Sequence, residues 1–390
     1  MNIVFFSHPD FLGHQSMPRF TSMLANGMKE IGHDVQVWAP KAMVSKVPGP
    51  GLLKKWLGYI DQYLIFPAEV KKRIKNLSSK TLFVFTDHAL GPWVPLVADR
   101  PHVIHCHDFL AQRSANDEIE EHRTSNIGKA YQKIIRKGYS QGKYFISVSK
   151  KTREDLHTFL NRTPIISEVV YNGLNRTFAP GDVKKIRSAM SHETGINLTE
   201  GYLLHVGGNQ WYKNRIGVIE IYNTWRENYQ INLPLLLIGQ EPDSALKIAH
   251  IQSQFFEDIH FISAASDNTV RNAYASASVL LFPSYDEGFG WPIAEAMASG
   301  CPVLTTDKPP MTEVAADAGF YIPKRPWNSD TTDWAEAAAD RVEEIIGMET
   351  EEYAKVVANG LCNAARFNQT KVLDSIEAIY VSILEKETCA

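Results

Sequence analysis

Glu287 and Glu295, with seven residues between them, bracket a glycine loop in the stretch Ser284–Val303, where Gly288-Phe289-Gly290 runs into Pro292. Gly288 and Gly290 let the backbone come close to a ligand, and Pro292 falls where a first helical turn tolerates it. The free amides at such a helix start attract anions, and the two carboxylates accept hydrogen bonds from hydroxyl groups. Each part alone has an ordinary explanation. A Glu in a first turn is favoured by the helix dipole, and Gly-Phe-Gly can be turn geometry only.

A second constellation has the same form. Val206-Gly207-Gly208-Asn-Gln-Trp-Tyr-Lys213-Asn-Arg215 reads as a strand end, a glycine turn and a helix start that carries two cations. Together these residues suit a reaction in which negative charge grows on phosphate. A third group, His102, His105, Cys106, His107 and Asp108, invites a metal reading. On a strand His105 and His107 share a face, but two alternate imidazoles do not complete a site, so no metal is expected. The chain also contains no D-x-D sequence.

The elements that must hold these residues follow from periodicity. Ala277–Pro283 is a short apolar run with the look of a buried strand, and Ile293–Ser299 reads as a compact helix ended by Gly300, which puts Glu295 in its first turn. Asn2–Ser7, a loop containing Gly13, a helix over Met17–Ile31 and a strand over Asp34–Ala39 open the chain as a β-α-β unit. The loop has no G-x-G-x-x-G, which weighs against a dinucleotide cofactor. Thr81–Thr86, His102–Cys106, Tyr144–Ser149 and Val169–Asn172 read as further strands; residues 111–142 read as a charged helical region, and Ser149 caps a helix to Leu160. Lys41–Asn76 is the least regular part. A second set of strands then starts at Tyr202, Leu233, Ile259, Ser278, Val303 and Gly319, and three helices from Trp334, Glu351 and Thr370 close the chain.

Glu287-Gly-Phe-Gly followed by Glu295-Ala-Met-Ala-Ser-Gly-Cys-Pro-Val resembles the donor-site signature of retaining GT-B glycosyltransferases of family 4. The resemblance implies an α/β chain of two Rossmann-like, doubly wound parallel-sheet domains facing a central cleft. An acceptor domain would span 1–172 with the helix of 368–390 packing back on it, and a nucleotide-sugar donor domain 173–367; Tyr171-Asn-Gly-Leu-Asn and Phe178-Ala-Pro look like the crossing between them. By this resemblance Glu295 holds the donor ribose, Glu287 the hydroxyls of the transferred sugar, and the amides of Gly288, Phe289 and Gly290 the sugar and phosphate. Lys213 matches the diphosphate lysine, and His107 the histidine beside the anomeric carbon; Gly13 would sit by the phosphates. Gly208 stands where the family usually has an Arg, so Arg215 is the candidate to supply that charge. The implied function is metal-independent, retaining transfer of a hexose from a nucleotide diphosphate sugar, which is substrate and not cofactor, to a hydroxyl of a glycan or lipid-linked glycan. A sugar-nucleotide epimerase or small-glycoside synthase on the same fold, and a nucleotide-sugar-binding protein without turnover, are the alternatives.

Length and composition agree with two soluble domains: 390 residues, 44% hydrophobic and 22% charged. Four scattered cysteines fit reduced thiols, and no apolar window approaches the roughly 18–20 residues of a membrane span, so a cytoplasmic protein is expected. Residues 1–173 carry 23 Lys and Arg against 15 Asp and Glu, whereas the remainder carries 17 against 29. Eight basic residues lie between Lys41 and Lys75 against Asp61 and Glu69. Beside Trp56, Tyr59 and Tyr63 they suggest peripheral contact of 41–75 with an anionic membrane at the inner face, the alternative being a helix that packs these rings inward. No nucleic-acid partner is expected.

Overall fold

Strand segments as apolar as Ile3–Phe6, Leu82–Phe85 and Leu235–Ile238 must be covered on both faces, and the chain achieves this twice with a helix-flanked parallel sheet. The computed structural model describes residues 1–13, 16–48, 50–174 and 177–389. Two compact units result, one of Met1–Glu118, Arg123–Tyr171 and Thr370–Ala390, the other of Ile119–His122 and Asn172–Gln369.

The first unit contains β1 (Asn2–Phe6), β2 (Asp34–Trp38), β3 (Leu82–Phe85), β4 (His102–Cys106), β5 (Tyr144–Ser147) and β6 (Ile166–Val169), in the order β2-β1-β3-β4-β5-β6. Its helices are α1 (Ser16–Glu30), α2 (Gly51–Ile60), α3 (Phe66–Ile74), α4 (Leu110–Ala115), α5 (Asn126–Tyr139) and α6 (Lys150–Phe159). Alternation along β1 sends Val4 and Phe6 to one core with Phe66, Phe83, Phe85 and Trp93. Ile3 and Phe5 go to the other, with Phe20, Leu24 and Met28. A C-terminal helix, Gln369–Cys389, closes that second core with Leu373, Ile376, Tyr380 and Ile383.

The second unit contains β7 (Leu203–Gly207), β8 (Leu235–Gly239), β9 (Ile259–Ser263), β10 (Val279–Phe282), β11 (Val303–Thr306) and β12 (Phe320–Ile322), in the order β12-β11-β10-β7-β8-β9. Its helices are α7 (Val183–Thr194), α8 (Arg215–Tyr229), α9 (Ser244–Gln252), α10 (Asp267–Ser276), α11 (Trp291–Ala298), α12 (Met311–Ala315), α13 (Thr332–Ile346) and α14 (Thr350–Ala364); the C-terminal helix is α15. One face of the sheet packs Leu203, Leu235, Leu237 and Leu281 against α8 and α13 through Val218, Tyr222, Trp225, Trp334 and Val342. Helix α11 packs with α10 and α14 instead. Both units are therefore doubly wound α/β sheets of Rossmann type.

Several expectations are corrected. Residues 41–76 are mostly helical: α2 passes through one π-type turn, Asp61–Ile65, into α3. The buried Asp61 carboxylate accepts from the amides of Met43, Val44 and Ser45 at 3.0–3.1 Å and pins the preceding loop. Gly49 of that loop, and Asn175 of the Tyr171–Pro180 crossing, lie outside the described residues. The last strand of the first unit is Ile166–Val169, because residues 166–169 supply the register against Tyr144–Ser147 and Val169–Asn172 does not. Region 111–142 is two helices, interrupted where Asp117 takes a left-handed backbone at φ 62°.

A 3-10 run, His88–Leu96, follows β3 and packs against α5 with almost no clearance. A Cβ at Gly138 would stand 2.1 Å from the Gly91 carbonyl oxygen. Gly138→Ala is expected to destabilise the first unit by about 1–3 kcal/mol, read as a lower urea midpoint; an unchanged midpoint would show that this helix contact relaxes freely.

Candidate functional site

In doubly wound sheets ligands bind beyond the strand C-termini where the strand order reverses. In the second unit that point lies between β7 and β10. The turn after β7 carries Lys213, and the loop after β10 carries Glu287. Asn214, at φ 50°, caps α8 by accepting from the Gly217 amide at 3.2 Å and donates to the Pro283 carbonyl at 2.9 Å. The Tyr285 amide donates to the Tyr212 carbonyl at 2.8 Å. These two bonds tie the turns together, and Lys213 Nζ then lies 2.7 Å from Glu287 Oε1, which also accepts from Ser284 Oγ at 2.9 Å.

The Glu287 carboxylate is buried, and burial raises its pKa against the lowering effects of Lys213 and Ser284. Gly290 takes φ 100° immediately before α11, a backbone that glycine reaches without strain, and Pro292 sits in the first turn. Glu295 stands two residues deeper than expected, past the first turn, because α11 starts at Trp291 and not at Ile293. It lies beside the buried Tyr274, whose pKa is raised first by burial and then by the Glu295 charge. The Phe289 ring turns inward, edge-on to Trp291 and Phe367.

Of the glycine turn after β7, Gly207 packs so closely that a Cβ on its neighbour Gly239 would stand 1.9 Å from the Gly207 oxygen. At Gly208 the atoms nearest to an added Cβ are the movable ends of Gln210 and Gln240. Arg215 goes elsewhere than Lys213. Its Nη1 donates to Asn209 Oδ1 and, at 3.0 Å, to the Gln240 carbonyl, and its guanidinium lies 5.7 Å from the Phe261 ring.

In the first unit the strand order reverses between β1 and β3. Gly13 closes the 3-10 turn Asp10–Leu12 after β1 at φ 69°, its amide on the Asp10 carbonyl at 3.0 Å. His107, just beyond β4, donates from Nε2 to the Thr86 carbonyl at 2.9 Å and packs edge-on to Phe20; burial lowers its pKa. His105 Nε2 is 2.8 Å from the Tyr380 hydroxyl, and His102 Nδ1 2.8 Å from the Arg100 carbonyl. Two pairings escaped the sequence reading, that of His8 with the Asp87-His88 loop, itself legible as a polar loop beyond a strand end, and that of Arg325 with Glu220 and Tyr285. His8 Nε2 lies 2.8 Å from Asp87 Oδ2, with His88 Nδ1 3.0 Å from Oδ1. Although burial opposes it, these imidazoles hold the Asp87 carboxyl well below its ordinary range. Arg325 grips Glu220 with two bonds of 2.6 Å and the Tyr285 hydroxyl at 2.7 Å. Position after a strand end was the only signal for His8, and nothing local marked Arg325.

Two doubly wound sheets in one chain, with a lysine–carboxylate pair and a helix N-terminus at the reversal point of the second, define the GT-B class. Solved structures carry the same fold: WaaG, described as a glycosyltransferase of lipopolysaccharide biosynthesis, with TM-score 0.72, 18% identity and 96% of this chain and 98% of that one covered. A structure of Anabaena Alr3699/HepE in complex with UDP and glucose also has TM-score 0.72, at 16% identity over 98% of this chain and 100% of that one. The chain belongs to the glycosyl transferases group 1 family, whose model matches residues 187–361, and residues 17–178 match Glycosyltransferase Family 4. It is 26% identical over 201 residues to the O-antigen chain mannosyltransferase RfbU of Salmonella typhimurium, which is 51% of this chain and 52% of that protein. The chain thus spans about half the length of such curated relatives.

His105 and His205 are fully enclosed, and burial above all pushes each pKa down to about 3 from an ordinary 6.5. Their stabilisation is complete above pH 6.5 and is lost as pH falls from there towards 3, at up to about 1.4 kcal/mol per group per pH unit. Urea melts at pH 5.5 should therefore give a lower midpoint than at pH 7.5. Equal midpoints would mean that both rings titrate alike in the folded and unfolded chains.

Proposed function

We propose that the protein is a retaining, metal-independent glycosyltransferase that moves a hexose from a nucleotide diphosphate sugar to a hydroxyl of a glycan or lipid-linked glycan. The observation that carries this reading is the Lys213–Glu287 pair beside the N-terminus of α11. A half-buried ammonium that donates to a carboxylate and lies against the Tyr212 and Phe282 rings is suited to donate to the oxygens of a diphosphate, and the helix start adds amides for the same charge. Those groups supply the positive potential that a divalent ion supplies elsewhere. Glu287 takes sugar hydroxyls, Glu295 the ribose, and Gly207, Gly208 and Gly288–Gly290 bring backbone close to the donor. His107, a neutral imidazole, serves the reacting carbon.

In the proposed step the bond from the anomeric carbon to the diphosphate oxygen breaks, and its electron pair leaves with the diphosphate. The acceptor oxygen bonds to the same face of that carbon, and its proton passes to the departing phosphate oxygen. No enzyme nucleophile is required. The naming of relatives for O-antigen chain mannosyl transfer and lipopolysaccharide biosynthesis, and the UDP and glucose in the Anabaena complex, support the donor and acceptor classes. Melting the protein with UDP, GDP, ADP and their sugar conjugates, without metal, should raise Tm for one base. Lys213→Ala should abolish that shift. Glu287→Gln should keep nucleoside diphosphate binding and lose transfer by 100-fold or more, on the order of an electrostatic contact to the reacting sugar. Full transfer by Glu287→Gln, or an unaltered shift in Lys213→Ala, would defeat the assignment.

We propose further that the partner surface is an anionic membrane, met at the cytoplasmic face through residues 41–75. Leu53, Trp56, Ile60 and Leu64 follow helical spacing and are 45%, 59%, 38% and 68% exposed, with Lys54, Lys55, Lys71 and Lys72 exposed on the same helical run. Among the described residues no helix is long and apolar enough to cross a membrane. The protein should co-sediment with phosphatidylglycerol vesicles and not with phosphatidylcholine, and Trp56→Ala with Leu64→Ala should reduce the bound fraction several-fold. Indifference to lipid charge or to both substitutions would discard the surface.

A further inference from the structure

The turn between β7 and α8 has a second side. A cavity of about 590 Å³ opens there, lined by Trp211, Arg215, Asp243, Tyr285, Trp327 and Asn328 among others, a size that suits a small ligand. Lys213, Glu287, Phe289 and Glu295 do not line it. It sits over the starts of α8 and α9, and α8 packs on the sheet face that also takes α13, whereas α11 packs with α10 and α14. The cavity is therefore separate from the donor crevice proposed above.

Its walls combine two kinds of chemistry. Trp211 lies nearly parallel to Tyr285 at 6.5 Å, and Trp327 meets Tyr285 edge-on at 5.7 Å. Arg325, bonded to Glu220 and to the Tyr285 hydroxyl, holds the Tyr285 ring that both indoles meet. Trp327 remains 37% exposed. Arg215 is 5% exposed, yet its Nε and Nη2 have no hydrogen-bond acceptor among the described residues. A buried donor left unmatched is costly, and an incoming acceptor recovers that cost. Asp243 offsets part of the Arg215 charge and is itself engaged as the cap of α9, accepting from the Leu246 amide at 2.9 Å. The balance favours a neutral, hydroxyl-rich ligand over a free anion.

We propose that this cavity is a second ligand site that takes a pyranose ring of a saccharide. The apolar C–H face of the sugar lies against the indole rings, and a hydroxyl oxygen accepts from Arg215. The assignment does not depend on the transfer reaction. It holds whether or not the donor crevice turns over, and binding alone tests it.

The experiment is isothermal titration of the full chain with methyl α-mannoside, methyl α-glucoside and glucuronic acid, each with and without saturating UDP, GDP or ADP. At least one neutral pyranoside should bind, with and without nucleotide, and Trp327→Ala should weaken it about tenfold, a loss ordinary for an aromatic contact. Arg215→Lys should weaken it as well. Because Arg215 is buried, thermal melts must show that variant folded, and the half-exposed Trp327 keeps the test decisive if it is not. The proposal fails if no pyranoside binds, if only glucuronic acid binds, if Trp327→Ala binds as tightly as the parent, or if a nucleoside diphosphate displaces the sugar.

Discussion

The reversal of strand order between β7 and β10 is the constraint on which the candidate site depends. Because these two strands are neighbours and their following helices leave on opposite faces, the turns after them lie side by side with no helix between. Asn214 and the Tyr212–Tyr285 backbone bond then fasten the turns, so that a lysine and a carboxylate 74 positions apart meet at 2.7 Å. A buried pair of this kind is poor value as a source of stability, since desolvation offsets most of its attraction. Its place in the loop that leads into α11 fits the proposed diphosphate site better than a stabilising role.

The first unit repeats the geometry with different chemistry. Its reversal lies between β1 and β3, and the residues just beyond those strands are His8 and the Asp87–His88 pair, with His107 beyond the next strand. Burial leaves His105 and His107 disfavoured as cations, whereas His88 is drawn the other way by Asp87. One sheet edge thus holds neutral and charge-favouring imidazoles within a few residues. Helix α15 adds to this arrangement from the chain's far end, because the Tyr380 hydroxyl is what satisfies His105.

Basic and acidic residues are separated along the chain. Basic residues concentrate in 41–75, where α2 and α3 turn a hydrophobic row outward, while the acidic excess lies after residue 173. The row stays outward because Asp61 and Gln62 face inward at the π-type turn, where Asp61 binds three amides of the preceding loop and Gln62 bonds the Gly58 carbonyl and the Trp93 indole. Packing of that turn decides which side of the helix meets solvent.

Read alone, the chain determined what depends on neighbours in sequence. Parallel strands appear as unbroken apolar runs, Gly290 and Pro292 fix the entry into α11, and the Glu287–Val303 string suffices for the family. Residue order also placed Lys213 in a turn after a strand. Tertiary structure alone decided where the long side chains go. Lys213 and Arg215 are two residues apart, yet one reaches Glu287 and the other turns under the β8 loop, because the left-handed Asn214 between them reverses the backbone. The Arg325–Glu220 and His105–Tyr380 pairs, and the saccharide-sized cavity, join residues 105 or more positions apart or several loops at once. Such contacts leave no periodicity or local motif, since only the folding of distant segments onto one sheet edge creates them.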